Sequence, residues 1–452
     1  MLQTVLPDVI RETIENKNWT RLVAPDIDWP EYEIIAPELA DYMREIDKTD
    51  RVLLFRALPR DLKVDIFAFL DPETSDNLLL ELTNAETRHI LAELEPDDRT
   101  VLLGELPGQV TQRLLMLLSP DDLKEARQLL GYPEESIGRL MTPDYVAVRP
   151  SWTLAEALDH IRRHGNESET VNTVYVTDKS GNLLDALPLR RFILSKTDET
   201  VESIMDDTVV SISAYDDREE AVRVMQRYDR SALPVVDSSG VLLGIVTFDD
   251  MFEVAEQEAT EDFHRSAAIS PLKGSYWEIS ATRLFRSRIG WLSILVFVNL
   301  ISSGVISAFE GTLAAYVSLA FFIPLIIGTG GNTGAQSATL MIRSISTGDI
   351  RLNQWGRVFM KELLIGAAIG LSLGALGAVL GLFRGGPAIG LVVFMTMSTM
   401  LIMTNLMGMF IPFVLTKVNL DPAIASGPLI TSIADAVGLV IYFSYAHSIL
   451  GL

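Results

Sequence analysis

The chain contains no cysteine. Disulfides and thiolate metal sites are excluded, so any bound metal must be held by oxygen or imidazole. Histidine is scarce, with five residues in 452, and these are scattered. No P-loop is present and no nucleophile has an evident base, so neither an enzyme nor an ATP-driven pump is expected. The opening MLQTVLPDVIRETIENKNW lacks a basic segment followed by an apolar core. No signal peptide is therefore expected, and residues 1–288 should stay in the cytoplasm. The most telling scarcity is charge in residues 289–452. They hold five acidic residues (Glu310, Asp349, Glu362, Asp421, Asp435) and six basic ones (Arg343, Arg351, Arg357, Lys361, Arg384, Lys417). The first 288 residues hold 55 acidic and 31 basic residues, a net charge of −24. An acidic surface of that size repels nucleic acid and attracts cations.

A chain of this length exceeds one core, so several domains are expected. In the charge-poor part, five apolar stretches are long enough to cross ~30 Å of hydrocarbon at about 1.5 Å per residue. They are roughly 289–309, 313–342, 363–383, 389–415 and 424–450. Flanking cations orient them. Arg283, Arg286, Arg288, Arg343, Arg351, Arg357, Lys361 and Lys417 fall on one side, and Arg384 alone falls on the other. The positive-inside rule then places the N-terminus in the cytoplasm and the C-terminus outside.

Asp435 is the lone carboxylate within these stretches. A charge at a helix centre costs about 2.5–3.5 kcal/mol on insertion scales unless water, a partner or a cation meets it, so such residues mark polar paths. The second stretch contains Pro324 and the run GTGGNTG (328–334). Proline removes a helical hydrogen bond and glycine disfavours the helix, so irregular backbone is expected there, against protein or a water-filled cavity. Freed carbonyls and the amides of Asn332 and Gln336 would then supply oxygen ligands. The last stretch opens DPAIASGPLITSIADAVG. Pro422 and Pro428 suggest a broken first turn, with Asp421 at the cytoplasmic mouth and Asp435 at mid-depth. Ser426, Thr431 and Ser432 add hydroxyls beside Gly427. Carboxylate, amide, hydroxyl and carbonyl oxygens form a hard-cation ligand set.

The soluble part carries two repeats. Leu58, Leu70, Leu82, Leu94, Leu106, Leu118 and Leu130 recur every twelve residues, most followed within two positions by Pro, Asp, Asn or Ser, as in LDPE and LSPDD. These are helix-start signals, so each unit reads as a helix of about eight or nine residues plus a turn, stacking into a superhelix. Within 138–260, GRLMTPDYVAVRPSWTLAEALDHIRRH parallels ESIMDDTVVSISAYDDREEAVRVMQRY, and each is followed by strand, Ser-Gly turn and strand. Two tandem β-α-β-β-α units resemble a CBS-domain pair. An acidic helix, DDMFEVAEQEATEDF (249–263), then leads toward the apolar part. Its like charges at spacings of three and four repel unless cations screen them.

The whole order, with PLIIGTGGNTGAQS and DPAIASGPLITSIADAVG, resembles the MgtE family of magnesium channels over essentially the full chain. The resemblance implies a multidomain fold: an all-α superhelical N-domain (1–130), an α/β CBS-domain pair (131–250), an acidic connecting helix (251–288) and an α-helical membrane domain with five transmembrane helices (289–452). It implies a homodimer in the lipid bilayer of the cell membrane, passing Mg²⁺ passively along the dimer axis and closed by cytosolic Mg²⁺. The central pore carboxylate falls on Asp435 and the mouth carboxylate on Asp421. Cytosolic sensor ligands fall on Glu219, Asp229, Asp250, Glu253, Glu258, Glu261 and Asp262, with Glu93 and Asp97 on the N-domain. Asn332, Gln336, Gly427 and Thr431 fall on the pore lining. A nucleotide site, with ATP as its ligand, carries over onto Arg190 or Arg191 and Tyr228. A proton-coupled divalent-cation transporter with Asp435 as proton carrier is the alternative.

Overall fold

The computed structural model describes residues 6–24, 27–106, 108–206, 208–272, 276, 279–418, 420–425 and 427–451. They form two compact units, Met1–Gln257 and Glu258–Leu452. The first unit opens with ten helices: α1 (Asp8–Glu15), α2 (Trp19–Leu22), α3 (Tyr32–Glu45), α4 (Lys48–Ala57), α5 (Arg60–Ala68), α6 (Pro72–Glu81), α7 (Asn84–Glu93), α8 (Pro96–Glu105), α9 (Gly108–Leu115) and α10 (Pro120–Leu129). From α4 onward their lengths of eight to ten residues match the twelve-residue repeat. The polar residue after Leu70, Leu82 and Leu118 does what its chemistry suggests. Asp71, Thr83 and Ser119 accept from backbone N–H groups of the helices they start, as Asp47 does ahead of the repeat, and Pro72, Pro96 and Pro120 occupy first turns. Leu58, Leu70, Leu82, Leu94 and Leu106 are buried in one continuous core. No short amphipathic helix could bury that face alone, so the units stack.

Two three-stranded sheets follow. In the first, β1 (Tyr145–Val148) runs parallel to β2 (Thr170–Thr177), which pairs antiparallel with β3 (Leu183–Pro188). In the second, β4 (Ile212–Ser213), β5 (Ala232–Val236) and β6 (Leu242–Thr247) repeat that topology. The crossover helices are α11 (Leu154–His164) and α13 (Arg218–Tyr228), and α12 (Leu189–Leu194) and α14 (Phe248–Ser266) close the units. Each hairpin turn is built alike. Asp178 accepts from the N–H groups of Ser180 and Asn182, Asp237 from those of Ser239 and Val241, and Gly181 and Gly240 take φ near +85°. The two turns also bond each other, Leu183 N–H to Gly240 and Leu242 N–H to Gly181.

In the second unit, α15 (Ala281–Ala308) leads through α16 (Glu310–Ala315) and a 3₁₀ segment (Val317–Phe322) into α17 (Ile323–Ser346). Next come α18 (Trp355–Lys417), a 3₁₀ turn (Pro422–Ile424) and α19 (Gly427–Leu450). Among the described residues, four apolar helices are long enough to cross a membrane. The longest, α18, is broken at Gly386, whose φ of +83° an L side chain rarely adopts. Its two arms, 355–385 and 387–417, pack antiparallel so closely that a Cβ on Gly381 would lie 2.7 Å from the Gly390 Cα.

The Gly-rich run departs from the sequence expectation. Pro324 sits in the first turn of α17 and starts the helix, and GTGGNTG stays helical. Glycine costs about 1 kcal/mol against alanine in a helix exposed to water. Among apolar helices the backbone has no water to turn to, so its own hydrogen bonds hold it. The glycines serve packing instead: α17 presses on α18 until a Cβ on Gly408 would lie 2.3 Å from the Gly334 carbonyl oxygen. Carbonyls of the run are therefore spent inside α17, and only the Asn332 and Gln336 side chains remain there as candidate ligands.

Candidate functional site

The Asp435 side chain is half-buried on α19, and its buried Oδ1 has no hydrogen-bond partner. A buried carboxylate oxygen without a donor is costly. A hydrated or bare cation is the kind of group that would satisfy it. Thr431 lies one turn away on α19 and touches Gly331 of α17, and Gly427 faces Ala335 of α17. On α17, Asn332, Gln336, Thr339 and Arg343 recur at spacings of four, three and four and are all exposed. Asn332, Ala335, Gln336, Thr339 and Leu340 line a shallow open groove. The pore-lining expectations thus lie on two touching helices, α17 and α19.

Asp421 caps the turn before α19 and accepts from the Ala423 N–H at 2.7 Å. Its other oxygen pairs with Arg265 near the end of α14, and Arg265 also pairs with Glu261. Asp262 bonds Ser346 at the end of α17, and burial together with the nearby Asp421 charge raises its pKa. Glu258 lies within electrostatic reach of Arg265. Three expected sensor residues and the expected mouth carboxylate are therefore gathered around one guanidinium.

The first unit holds a larger carboxylate cluster. Asp97 is 5% exposed, and its Oδ1 lacks a partner. Burial and the charges of Asp250, Asp98, Glu169 and Glu95 push its pKa well up. Burial and neighbouring carboxylates likewise push Asp98 to about 7 and Glu169 to about 8. Asp250, bonded by Thr247, is raised to about 6 by burial and the Asp249 and Glu253 charges. Among the described residues, no group of three or more His, Asp or Glu is placed as a ready-made metal chelate in this single chain. Expected ligands Asp97, Asp250 and Glu253 do meet here. Glu93 instead leans on His89 at 3.8 Å, Glu219 on Arg223 at 3.6 Å, and Asp229 is the left-handed cap of α13. Arg191 is held by Asp206 and the Ile204 carbonyl, Arg190 is exposed, and Tyr228 stacks under Arg227. Ser426 lies outside the described residues.

Glu95, Asp98 and Glu169 belong to this cluster but escaped the sequence reading. The EPDD run looked like a helix start, which it is; nothing local to Glu169 points at it. The cluster sets a pH dependence. Folded pKa values above the ordinary carboxylate range mean that the folded form holds protons the unfolded chain has released, so stability falls as pH rises. In EDTA, the unfolding temperature of the first unit in the full-length protein should drop between pH 6 and 8, the window of Asp250, Asp98 and Glu169. Millimolar Mg²⁺ should shrink that drop. A midpoint that rises or stays flat over this window would show that the carboxylates do not repel.

An orphaned carboxylate oxygen on one apolar helix, an amide-bearing face on the helix packed against it and carboxylate clusters outside them are the donor set of a membrane transporter for a hard cation. Comparison with known proteins agrees. A family model described as a divalent cation transporter, MgtE, matches residues 323–445, the MgtE intracellular N domain matches 36–135, and CBS domains match 137–194 and 201–256. The magnesium transporter MgtE of Thermus thermophilus is 41% identical over 326 residues, 72% of each chain. That of Bacillus subtilis is 37% identical over 72% of this chain and 71% of its own. A crystal structure of the cytosolic domain of the Mg²⁺ channel MgtE in complex with ATP is 33% identical, covering 55% of this chain and 97% of that one with a TM-score of 0.49. The chain belongs to the MgtE family, whose members are magnesium transporters and not enzymes.

Proposed function

We propose that the protein is a homodimeric Mg²⁺ channel that lets the ion enter the cell passively and is shut by cytosolic Mg²⁺. The observation that carries this reading is the orphaned Oδ1 of Asp435 on α19, the helix whose Thr431 meets α17, where Asn332 and Gln336 are exposed. A polar stripe on an apolar helix is costly against lipid, and two copies facing each other would turn it toward a shared water-filled path. Mg²⁺ gives up its waters reluctantly, so the ion passes hydrated, held through water by the two Asp435 carboxylates. An inside-negative potential favours its entry by ~2.3 kcal/mol per charge per 100 mV. Asp421 receives the ion at the cytoplasmic mouth, where Arg265 now neutralises it.

Closure follows from charge. Without Mg²⁺ the carboxylates of the N-domain, CBS pair and α14 repel. Bound ions bridge Asp97, Asp250, Glu253, Glu258, Glu261 and Asp262, with Glu219, Asp229 and Glu93 as further ligands, and favour the closed state because they bind it more tightly. ATP at the CBS pair, near Arg190, Arg191 and Tyr228, would tune this equilibrium. Purified protein in liposomes should pass Mg²⁺ at fixed voltage without a pH gradient; an absence of flux would contradict permeation.

Five spans, counting the two arms of α18 separately, put the N-terminal domains in the cytoplasm and the C-terminus outside. The eight-to-one distribution of flanking cations supports this. A reporter fused after Leu452 should be active on the external side alone. Cytoplasmic activity would mean that one crossing is absent, with the Gly386 break the first place to look.

A further inference from the structure

A second carboxylate is buried in the apolar unit, and neither the ion path nor the sensor uses it. Glu362, on the first arm of α18, is 7% exposed, although its neighbour Lys361 faces outward. Its Oε2 accepts from Asn405 Nδ2 on the second arm at 2.8 Å, and the same amide nitrogen reaches the Glu362 carbonyl at 2.9 Å. Asn405 is itself buried, and its backbone carbonyl accepts from Ser337 Oγ of α17 at 2.9 Å. Ser337 Oγ also lies 3.5 Å from Glu362 Oε2, at the edge of bonding range. One chain of polar contacts thus joins α17 to both arms of α18.

The contact matters because of what surrounds it. The face that α17 turns to its neighbours carries Gly330, Gly331 and Gly334. Those close approaches, with the buried Ile326, Thr333, Ala338, Met341 and Ile342, limit how far α17 can turn. A directed hydrogen bond from a buried serine adds a polar restraint on the same rotation. Ser337 adjoins Gln336 in sequence, and the two point to opposite environments, one buried and one exposed. Turning α17 by one residue, about 100°, would exchange them and carry Asn332 off its face.

We propose that Glu362 is a positioning residue for permeation: acting through Asn405 and Ser337, it sets the rotation of α17 and so the direction in which Asn332 and Gln336 face. This rests on the reading that those two amides line the ion path.

The test uses full-length protein in liposomes. It reads maximal uptake, the Mg²⁺ concentration for half-maximal uptake, and the Co²⁺-to-Mg²⁺ uptake ratio, with the unfolding temperature measured in parallel. Glu362→Gln keeps an oxygen for Asn405 and should stay within about twofold of wild type on all three. Glu362→Leu should shift half-saturation or the ion ratio by about fivefold or more, the scale of a coupling near 1 kcal/mol. Ser337→Ala, a smaller change that leaves the Glu362–Asn405 bond in place, should shift the same quantities in the same direction, and the double variant should add little. A Glu362→Leu protein that only loses maximal rate in proportion to folded protein would overturn the proposal. If that variant fails to fold, Ser337→Ala decides: unchanged half-saturation and ion ratio overturn the proposal. Asn332→Ala and Gln336→Ala separate the two failures. If they leave half-saturation and ion ratio unmoved, the path reading falls and takes the proposal with it. If they move them while Glu362→Leu does not, the proposal alone falls.

Discussion

Asp435→Asn should abolish Mg²⁺ uptake, lowering it by about 100-fold or more, while the protein still folds as a dimer. Asparagine keeps the size of the side chain but removes the charge that holds a divalent ion through its waters. The Asp435 Oδ1 has no donor from the chain itself, which leaves it available to a cation. Asp435→Ala should fail equally. Folding should survive, because removing an unpaired charge from an apolar helix relieves a desolvation cost. Growth of a transport-deficient host at low Mg²⁺ reads the effect, and size-exclusion chromatography checks the dimer. Normal uptake by the Asn variant would remove Asp435 from the mechanism.

Changing Asp250, Glu253, Glu258, Glu261 and Asp262 together to amides should leave permeation intact and weaken closure by cytosolic Mg²⁺ about tenfold or more. These residues lie outside the apolar helices, on α14, so they can bias the gate without narrowing the path. Amides cannot bind bridging ions by charge, and they also relieve the repulsion that opens the metal-free form. Basal opening can move either way, but Mg²⁺ sensitivity must fall, because the ions' preference for the closed state is what has been reduced. Protease protection of α14 is a direct readout. Wild type should become protected at millimolar Mg²⁺ and the variant should not. Closure of the variant at the wild-type Mg²⁺ concentration would leave α14 a solvated linker.

What could be read from the residues alone was whatever is local or periodic. The twelve-residue leucine spacing marks α4 to α10, since each unit carries its own cap and its own buried leucine. The doubled strand-turn-strand pattern marks the two sheets, and Ser-Gly marks their turns. Asp435 stands out because a charge in an apolar run needs a reason. Two kinds of information stayed hidden. GTGGNTG carries a local preference against helix that its surroundings override, so propensity pointed toward broken backbone where the chain is helical. Carboxylates brought together from distant segments give no local sign. Glu95 and Glu169 meet only in the fold. Glu362 sits at the edge of an apolar stretch, where a charge is ordinary, and its hydrogen-bond partner Asn405 lies 43 residues later. The Arg265–Asp421 pair spans 156 residues and is equally silent in sequence.

Recording from inside-out patches of the purified protein, with Mg²⁺ on the cytosolic face varied at fixed voltage and equal pH, tests Mg²⁺-gated passive permeation most directly. A Mg²⁺ current should appear when the cytosolic face is Mg²⁺-free and fall away as cytosolic Mg²⁺ enters the millimolar range. A current indifferent to cytosolic Mg²⁺, or Mg²⁺ movement that arises only when a pH gradient is imposed, would contradict it.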